Sequence, residues 1–211
     1  MATSSRARVA AAVRRLGHGV VAHDVSDDDL ERIAGELEEL IARVTASPRR
    51  HLPAHSPSEV LEPSEGERDA VTLFASLAGD AVVAGDSNPL GLGARFWMEG
   101  DTAVVEVLIG PAFAGAPGRA HGGILATVID ETMGSVLAHH GLFALTAWLK
   151  VTFAAAAPLD QPVTTRAWLA GRDGRKLTIQ ARVQAGDALV AEAEALFVAV
   201  DPRPFLTGPA R

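Results

Sequence analysis

The segment GRAHGGILATVIDETMG, residues 118–134, constrains the fold more than any other part of the sequence. Between residues 122 and 140 the apolar side chains cover most of the circumference of a helix, so this helix must be buried on nearly all sides. These side chains are Ile124, Leu125, Val128, Ile129, Met133, Val136 and Leu137. Gly141 is suited to end the helix, and His139 and His140 lie where cations are favoured. Such a helix needs a large apolar surface wrapped around it.

The segments on both sides of this helix alternate with a period of two, which is typical of β-strands. LGARFWMEG and DTAVVEVLIG predict a hairpin that turns at residues 99–101, and PAFAGAPG after it predicts a loop. Beyond the helix, FALTAWLKVTFAAA, VTTRAWLAGR, KLTIQARVQ and ALVAEAEALFVAV predict a meander of strands with turns at 173–174 and 186–187. The expected fold class is therefore α+β, with one central helix wrapped by an antiparallel sheet in the hot-dog arrangement.

Residues 1–67 are predicted to form a helical extension and linker before a hot-dog domain at 68–205. SDDDLERIAGELEELIARVTA, residues 26–46, starts with a Ser and Asp cap and has apolar residues at helical spacing. A shorter helix is expected around residues 5–16, ended by Gly17 and Gly19. We interpret the two helices as a packing or dimerisation appendage.

The linker at residues 47–67 is rich in Pro, Ser and charge, which indicates a surface connection. His51 and His55 are spaced as metal ligands on a helix would be, but Pro53 between them breaks any such helix. No metal site is assigned to them.

Composition excludes several classes of protein. The net charge of −7 and the lack of a basic block argue against a nucleic-acid partner. The chain has no cysteine, which excludes disulfides, thiolate metal sites and a cysteine nucleophile. No secretion signal and no apolar window of about twenty residues is recognisable, so we expect a cytoplasmic protein without a membrane span.

HGGILATVID, ALTAWLKVTF and GDALVAEAEALFVAV together resemble the PaaI-type acyl-CoA thioesterases of the hot-dog superfamily over roughly residues 85–200. The resemblance implies hydrolysis of an acyl-CoA thioester without a cofactor. No dinucleotide glycine pattern, P-loop or GxSxG elbow is present.

His121, Gly122 and Gly123 stand where a loop becomes a helix, so their backbone N–H groups lack carbonyl partners and can hold an oxyanion. Thioester hydrolysis needs such donors, each worth about 3–4 kcal/mol in the transition state. The spacing alone equally suits a tight turn into a crowded helix. The resemblance favours the oxyanion hole, with His121 as a loop residue that fixes the turn near the substrate.

Asp130 shares a helix face with Gly123, Ala126 and Gly134, each within about 40° of it. Small residues thus leave room for a ligand or another chain at this carboxylate, and a carboxylate so placed can take a proton from water. Glu131 is turned about 100° away and is interpreted as a structural or interface charge. The resemblance implies that Asp130 acts as general base or as nucleophile, and both remain open.

The resemblance also suggests Thr146 as a hydroxyl that orients water or the carboxylate. Ala147, Leu149 and Val151 form the apolar face of that strand, so Thr146 faces the other way unless the strand bulges.

In GRDGRK, residues 171–176, the resemblance suggests that Arg172, Arg175 and Lys176 meet the phosphates of coenzyme A, although surface charge is the default interpretation of these residues.

Gly123 and Asp130 are about 10 Å apart along one helix, which is too far for one thioester carbonyl to touch both. Helices paired across a two-fold axis would bring the glycine of one chain to the aspartate of the other, as the resemblance implies. We therefore expect a homodimer or homotetramer with sites at the subunit interface. The alternatives are a hot-dog dehydratase or hydratase and a non-catalytic acyl-CoA-binding or regulatory protein.

Overall fold

The computed structural model of the chain describes residues 4–49 and 79–200. The helices are α1 (Ser5–Ala22), α2 (Asp27–Thr45) and α3 (Gly122–His139), with a short 3-10 turn at Pro111–Phe113. The strands are β1 (Arg95–Glu99), β2 (Thr102–Leu108), β3 (Ala114–Ala116), β4 (Arg119–Ala120), β5 (Ala144–Phe153), β6 (Pro162–Asp173), β7 (Lys176–Ala185) and β8 (Ala188–Ala199). The linker beyond residue 49, His51 and His55, and the expected domain ends near 68 and 205 lie outside the described residues.

One six-stranded antiparallel sheet, in the order β1-β2-β6-β7-β8-β5, packs against α3 and confirms the hot-dog arrangement. The strands alternate as the sequence predicts: in β7, Leu177, Ile179, Ala181 and Val183 are buried. These residues contact the apolar side of α3, where Ile129 and Met133 are fully buried. The sheet thus wraps one side of the helix, and the side that carries Asp130 is only half-covered.

The turns form where the sequence places them. Gly174 and Gly186 adopt φ values of 56° and 57°, a region that glycine enters without strain. Gly141 has a φ of 65° and follows the end of α3; its N–H donates to Ala138, and that of Leu142 donates to Leu137. These two bonds satisfy carbonyls at the helix end.

Helix α1 is longer than the sequence predicted, because it runs through Gly17 and Gly19 to Ala22. A glycine in a helix costs about 1 kcal/mol relative to alanine, which a tertiary contact can offset. His18 lies between the two glycines and makes such a tertiary contact, because its ring packs edge-on against Phe113. The expectation that the helix ends at residue 16 was therefore wrong.

Helix α2 begins at the predicted cap, where the Ser26 hydroxyl accepts the N–H of Asp29. None of its residues is buried among the described parts of the chain, and Val44 is 71% exposed.

The segment PAFAGAPG is more ordered than the predicted loop. It forms the 3-10 turn and strand β3, which pairs with β4 in a small ribbon directly before α3. No helix in the described residues is both long and apolar enough to cross a membrane.

Candidate active site

The Asp130 carboxylate and the Thr146 hydroxyl lie together beside the open face of α3. Thr146 Oγ1 donates to Asp130 Oδ1 at 3.1 Å. Asp130, Ala126 and Gly134 are half-buried and Gly123 is exposed, so small residues surround the carboxylate and leave it accessible. The Thr146 hydroxyl can hold one oxygen of the Asp130 carboxylate while the other oxygen stays available to a ligand.

A β-bulge in β5 turns Thr146 toward α3. Thr146 pairs with Phe197 of β8 and Trp148 pairs with Leu196, so Ala147 is the extra residue on the bulged strand. Phe197 is buried on the helix side of the sheet, and its partner Thr146 faces the same side. Regular alternation would have pointed Thr146 away from Asp130. The sequence did not determine whether this strand bulges. The observed bulge brings Thr146 and Asp130 together.

The N-terminus of α3 provides backbone donors. His121 is the N-cap, and its Nδ1 accepts the Gly123 N–H at 3.0 Å, so the neutral ring carries its proton on Nε2. Within the described parts of the chain, the Gly122 N–H has no acceptor. Gly122 is thus the amide free to bind an oxyanion, while the Gly123 N–H is held by the histidine.

The Phe153 ring lies over this helix end. A Cβ added at residue 122 would be 3.3 Å from Phe153 Cζ, so glycine leaves the ring close to the backbone. Phe153 is 51% exposed and can border a bound acyl group. Phe153 was not predicted as a site residue from the sequence, although it ends the apolar face of the β5 pattern.

Glu131 has a structural role, as the sequence indicated. Its Oε2 accepts the Val83 N–H and its Oε1 the Ala84 N–H, both at 2.9 Å. The carboxylate thereby fixes the segment before β1 against α3. The two neighbouring acids of the helix therefore have different partners: Asp130 contacts a side-chain hydroxyl, and Glu131 contacts two backbone N–H groups.

The basic residues of the β6–β7 turn lie at the same end of the sheet as Thr146. Lys176 pairs with Val198, and Val198 pairs with Leu145 next to Thr146. Two strand spacings separate Lys176 from Leu145, about 10 Å. Arg175 Nε donates to the Ala199 carbonyl at 2.9 Å, and Arg172 Nε to that of Gly174 at 3.2 Å.

Gly122 and Asp130 are separated by two turns of α3, about 12 Å along its axis. One thioester carbonyl cannot contact both groups of the same chain. The Gly122 N–H and the Asp130 carboxylate of one chain are therefore two separate halves of the candidate site, called half-sites below.

The part of the chain that carries this site is similar to known thioesterases. Residues 117–194 match the thioesterase superfamily model. Acyl-coenzyme A thioesterase THEM4 of Mus musculus is 40% identical over 95 residues, which are 44% of this chain and 41% of the mouse protein. THEM4 of Bos taurus is 38% identical over 95 residues, 44% of this chain and 39% of that protein. The chain thus matches about two-fifths of these relatives' length.

Among solved structures, the crystal structure of a thioesterase superfamily protein is similar at a TM-score of 0.75 and 25% identity, over 93% of this chain and 92% of that one. This similarity extends beyond the helix and sheet into the N-terminal residues. The E. coli PaaI protein of the phenylacetic acid degradation operon shares the fold, at a TM-score of 0.50 and 17% identity over 52% of this chain and 81% of that one. The resemblance that the sequence indicated is confirmed.

Proposed function

We infer that this chain, which carries a thioesterase superfamily domain of the hot-dog fold, hydrolyses an acyl-CoA thioester to the free acid and coenzyme A. The observation that carries this proposal is the Asp130 carboxylate on an open face of α3, held by Thr146 at 3.1 Å. Simple binding of acyl-CoA would not need an accessible carboxylate at this place. The lack of cysteine suits a reducing compartment, and we propose a cytoplasmic location.

In the general-base form of the reaction, Asp130 takes a proton from water as the water oxygen attacks the thioester carbon. The electron pair of the C=O bond moves to oxygen, and the N–H of Gly122 stabilises this oxyanion. When the C=O bond re-forms, the C–S bond breaks and the coenzyme A thiolate leaves with the proton.

In the nucleophilic form, a carboxylate oxygen of Asp130 attacks the thioester carbon and expels the thiolate. The resulting mixed anhydride is then hydrolysed by water, which regenerates Asp130. Both forms use the same residues. Entry of the label into Asp130 during single-turnover hydrolysis in ¹⁸O-water would identify the nucleophilic form, since only the anhydride allows it.

We propose that two subunits complete each site. Gly122 of one subunit would meet Asp130 of the other, which removes the separation of about 12 Å within one helix. The open face of α3 and strand β5 supply the surface: within the described residues β5 pairs with β8 alone, and Leu145 and Trp148 on it are 45% and 44% exposed. A long unprotected edge strand favours pairing with another chain.

We propose that Arg172, Arg175 and Lys176 bind the phosphates of coenzyme A. Their turn lies at the Thr146 end of the sheet, and guanidinium groups bind phosphate oxygens strongly. Arg175→Ala should raise KM for acyl-CoA and leave KM unchanged for an acyl-pantetheine thioester, which lacks the nucleotide phosphates. An equal change in KM for both thioesters would contradict the proposed contact between Arg175 and the phosphates.

The test is thiol release from short, medium, long-chain and aromatic acyl-CoAs, with two variants and a matched control. Asp130→Asn removes the proton acceptor and should abolish turnover while binding persists. Gly122→Pro removes the free N–H and suits the backbone, because proline fits the first position of a helix and His121 has the extended ψ of 131° that it requires. It also adds ring carbons beside Phe153.

Gly122→Pro should lower kcat by about 10²–10³. Gly122→Ala adds a Cβ but keeps the N–H, so its kcat should stay within a few-fold of wild type. Binding without turnover by the wild type would support a non-catalytic acyl-CoA-binding protein, and water addition to an enoyl-CoA would support a hydratase.

A further inference from the structure

Helix α1 is tied to the loop that precedes the N-terminus of α3. His18 Nδ1 accepts the Ala112 N–H at 3.2 Å, and its ring packs edge-on against Phe113 with 5.3 Å between ring centroids. Gly110 makes room for this ring, because a Cβ there would lie 2.7 Å from His18. The 3-10 turn at Pro111–Phe113 is therefore shaped around a side chain of the N-terminal extension.

The same turn holds His121. The Phe113 carbonyl accepts the His121 N–H at 2.9 Å, and His121 Nδ1 accepts the Gly123 N–H at 3.0 Å. A Cβ at Gly115 would lie 2.8 Å from His121 Cα, so the backbone of the ribbon also packs tightly on this residue. Consecutive contacts thus lead from His18 through the turn to the amides at the start of α3.

A second attachment fixes α1 itself. Arg14 donates to the carbonyls of Asn88 and Asp86, and its guanidinium lies close under Gly93. That segment is in turn bound to α3 by Glu131 through Val83 and Ala84. Helix α1 is therefore held against the domain at two points, Arg14 and His18.

We propose that His18 is a positioning residue for the helix end that binds the oxyanion, acting through the 3-10 turn and His121. This inference rests on the proposed thioesterase function for its catalytic consequence, but the positioning itself can be measured without turnover. It makes the N-terminal helix, which precedes the matched residues 117–194, part of the site.

The test compares His18→Ala with two variants of the full chain. His18→Asn keeps an acceptor, Oδ1, at the place of Nδ1. His23→Ala changes a histidine of the same helix end, whose Nδ1 contacts the Gly19 carbonyl within that helix. The first readout is the pair of Gly122 and Gly123 amide signals in the ¹H–¹⁵N spectrum of the free protein.

His18→Ala should shift both amide signals, His18→Asn should return them toward the wild-type positions, and His23→Ala should leave them unchanged. The second readout is kinetic: loss of one neutral hydrogen bond should lower kcat for acyl-CoA by about two- to tenfold with KM little changed. His18→Asn should recover most of that loss.

Amide signals that stay in place in His18→Ala would overturn the proposal, as would equal loss of kcat in His23→Ala. If the wild type shows no turnover but the amides shift as expected, the positioning is supported and the proposed function fails separately.

Discussion

Two adjacent acids of α3 differ in role because a helix turns about 100° per residue. Asp130 falls on the face of small residues and meets Thr146, whereas Glu131 points to the segment before β1 and accepts two backbone N–H groups. The same side-chain chemistry therefore lies accessible beside a hydroxyl in one position and fixes a loop in the next. A buried helix carries carboxylates here because each has a distinct partner.

Thr146→Val should lower kcat by about tenfold, since it removes the hydrogen bond that orients the Asp130 carboxylate. Thr146→Ser keeps the hydroxyl and should retain most of the activity. Thr152→Val is the matched control, because Thr152 is exposed on the same strand without a contact to Asp130. Thiol release measures all three, and equal rates for Val and Ser at residue 146 would contradict the role of the hydroxyl.

Glu131→Gln should lower the free energy of unfolding by about 1.5–3 kcal/mol, because a neutral amide can accept only one of the two N–H groups that the carboxylate holds. Urea denaturation measures the change. Glu38→Gln on the outside of α2 should change stability by less than about 0.5 kcal/mol. A similar small change at Glu131 would show that the segment before β1 is held by other contacts.

At the scale of elements, periodicity predicted the central helix and every strand of the main sheet, because apolar side chains recur in each at the period of that element. It could not predict the bulge at Ala147, since a bulge depends on how β5 and β8 align and leaves no repeat in the sequence. The end of α1 was missed for a similar reason. His18 contacts Phe113, which is far away along the chain, and local propensity cannot register that contact.

Helices α3 and α2 should respond very differently to loss of the same side chain. Ile129→Ala removes a fully buried group and should cost about 2–5 kcal/mol of unfolding free energy. Ile41→Ala changes a residue that is 51% exposed on α2 and should cost less than about 0.5 kcal/mol. Denaturant unfolding of both variants checks this. A cost above 1.5 kcal/mol at Ile41 would mean that another surface covers α2 in solution.

The β1–β2 hairpin has its own response to pH. The indole N–H of Trp97 donates to Glu99 and, with Arg166 nearby, lowers the pKa of that carboxyl below its ordinary value near 4.5. The stabilisation from this contact is therefore present above the pKa of the unfolded chain and is lost as the pH falls through the lower folded value. The Trp97 indole N–H signal should titrate with a midpoint below 4.5, and a midpoint above it would contradict the contact.

At the scale of the whole molecule, the distance between the two half-sites determines what a subunit can do alone. Gly122 and Asp130 lie about 12 Å apart on one rigid helix, and no rearrangement within α3 shortens that distance. A reaction that used both groups on one thioester would therefore need a second chain, as the residue spacing in the sequence predicts. How two subunits would pack against each other depends on the shape and chemistry of their contacting surfaces. The spacing of Gly122 and Asp130 along the sequence does not specify these.

Mixed oligomers test this sharing directly. Gly122→Pro and Asp130→Asn chains, each expected to have lost nearly all turnover alone, are co-expressed with different affinity tags so that dimers containing one of each can be isolated. If the sites are shared across a two-fold axis, one site of each mixed dimer carries both substitutions and the other carries neither. Such dimers should then hydrolyse acyl-CoA at about half the wild-type rate.

If each site instead belongs to one chain, both sites of the mixed dimer carry one substitution and the dimer stays inactive. Dimers with Asp130→Asn under both tags are the control for tag and assembly effects, and they should show no thiol release. Recovery in the mixed dimer alone requires that the amide of one α3 and the carboxylate of another act on the same thioester.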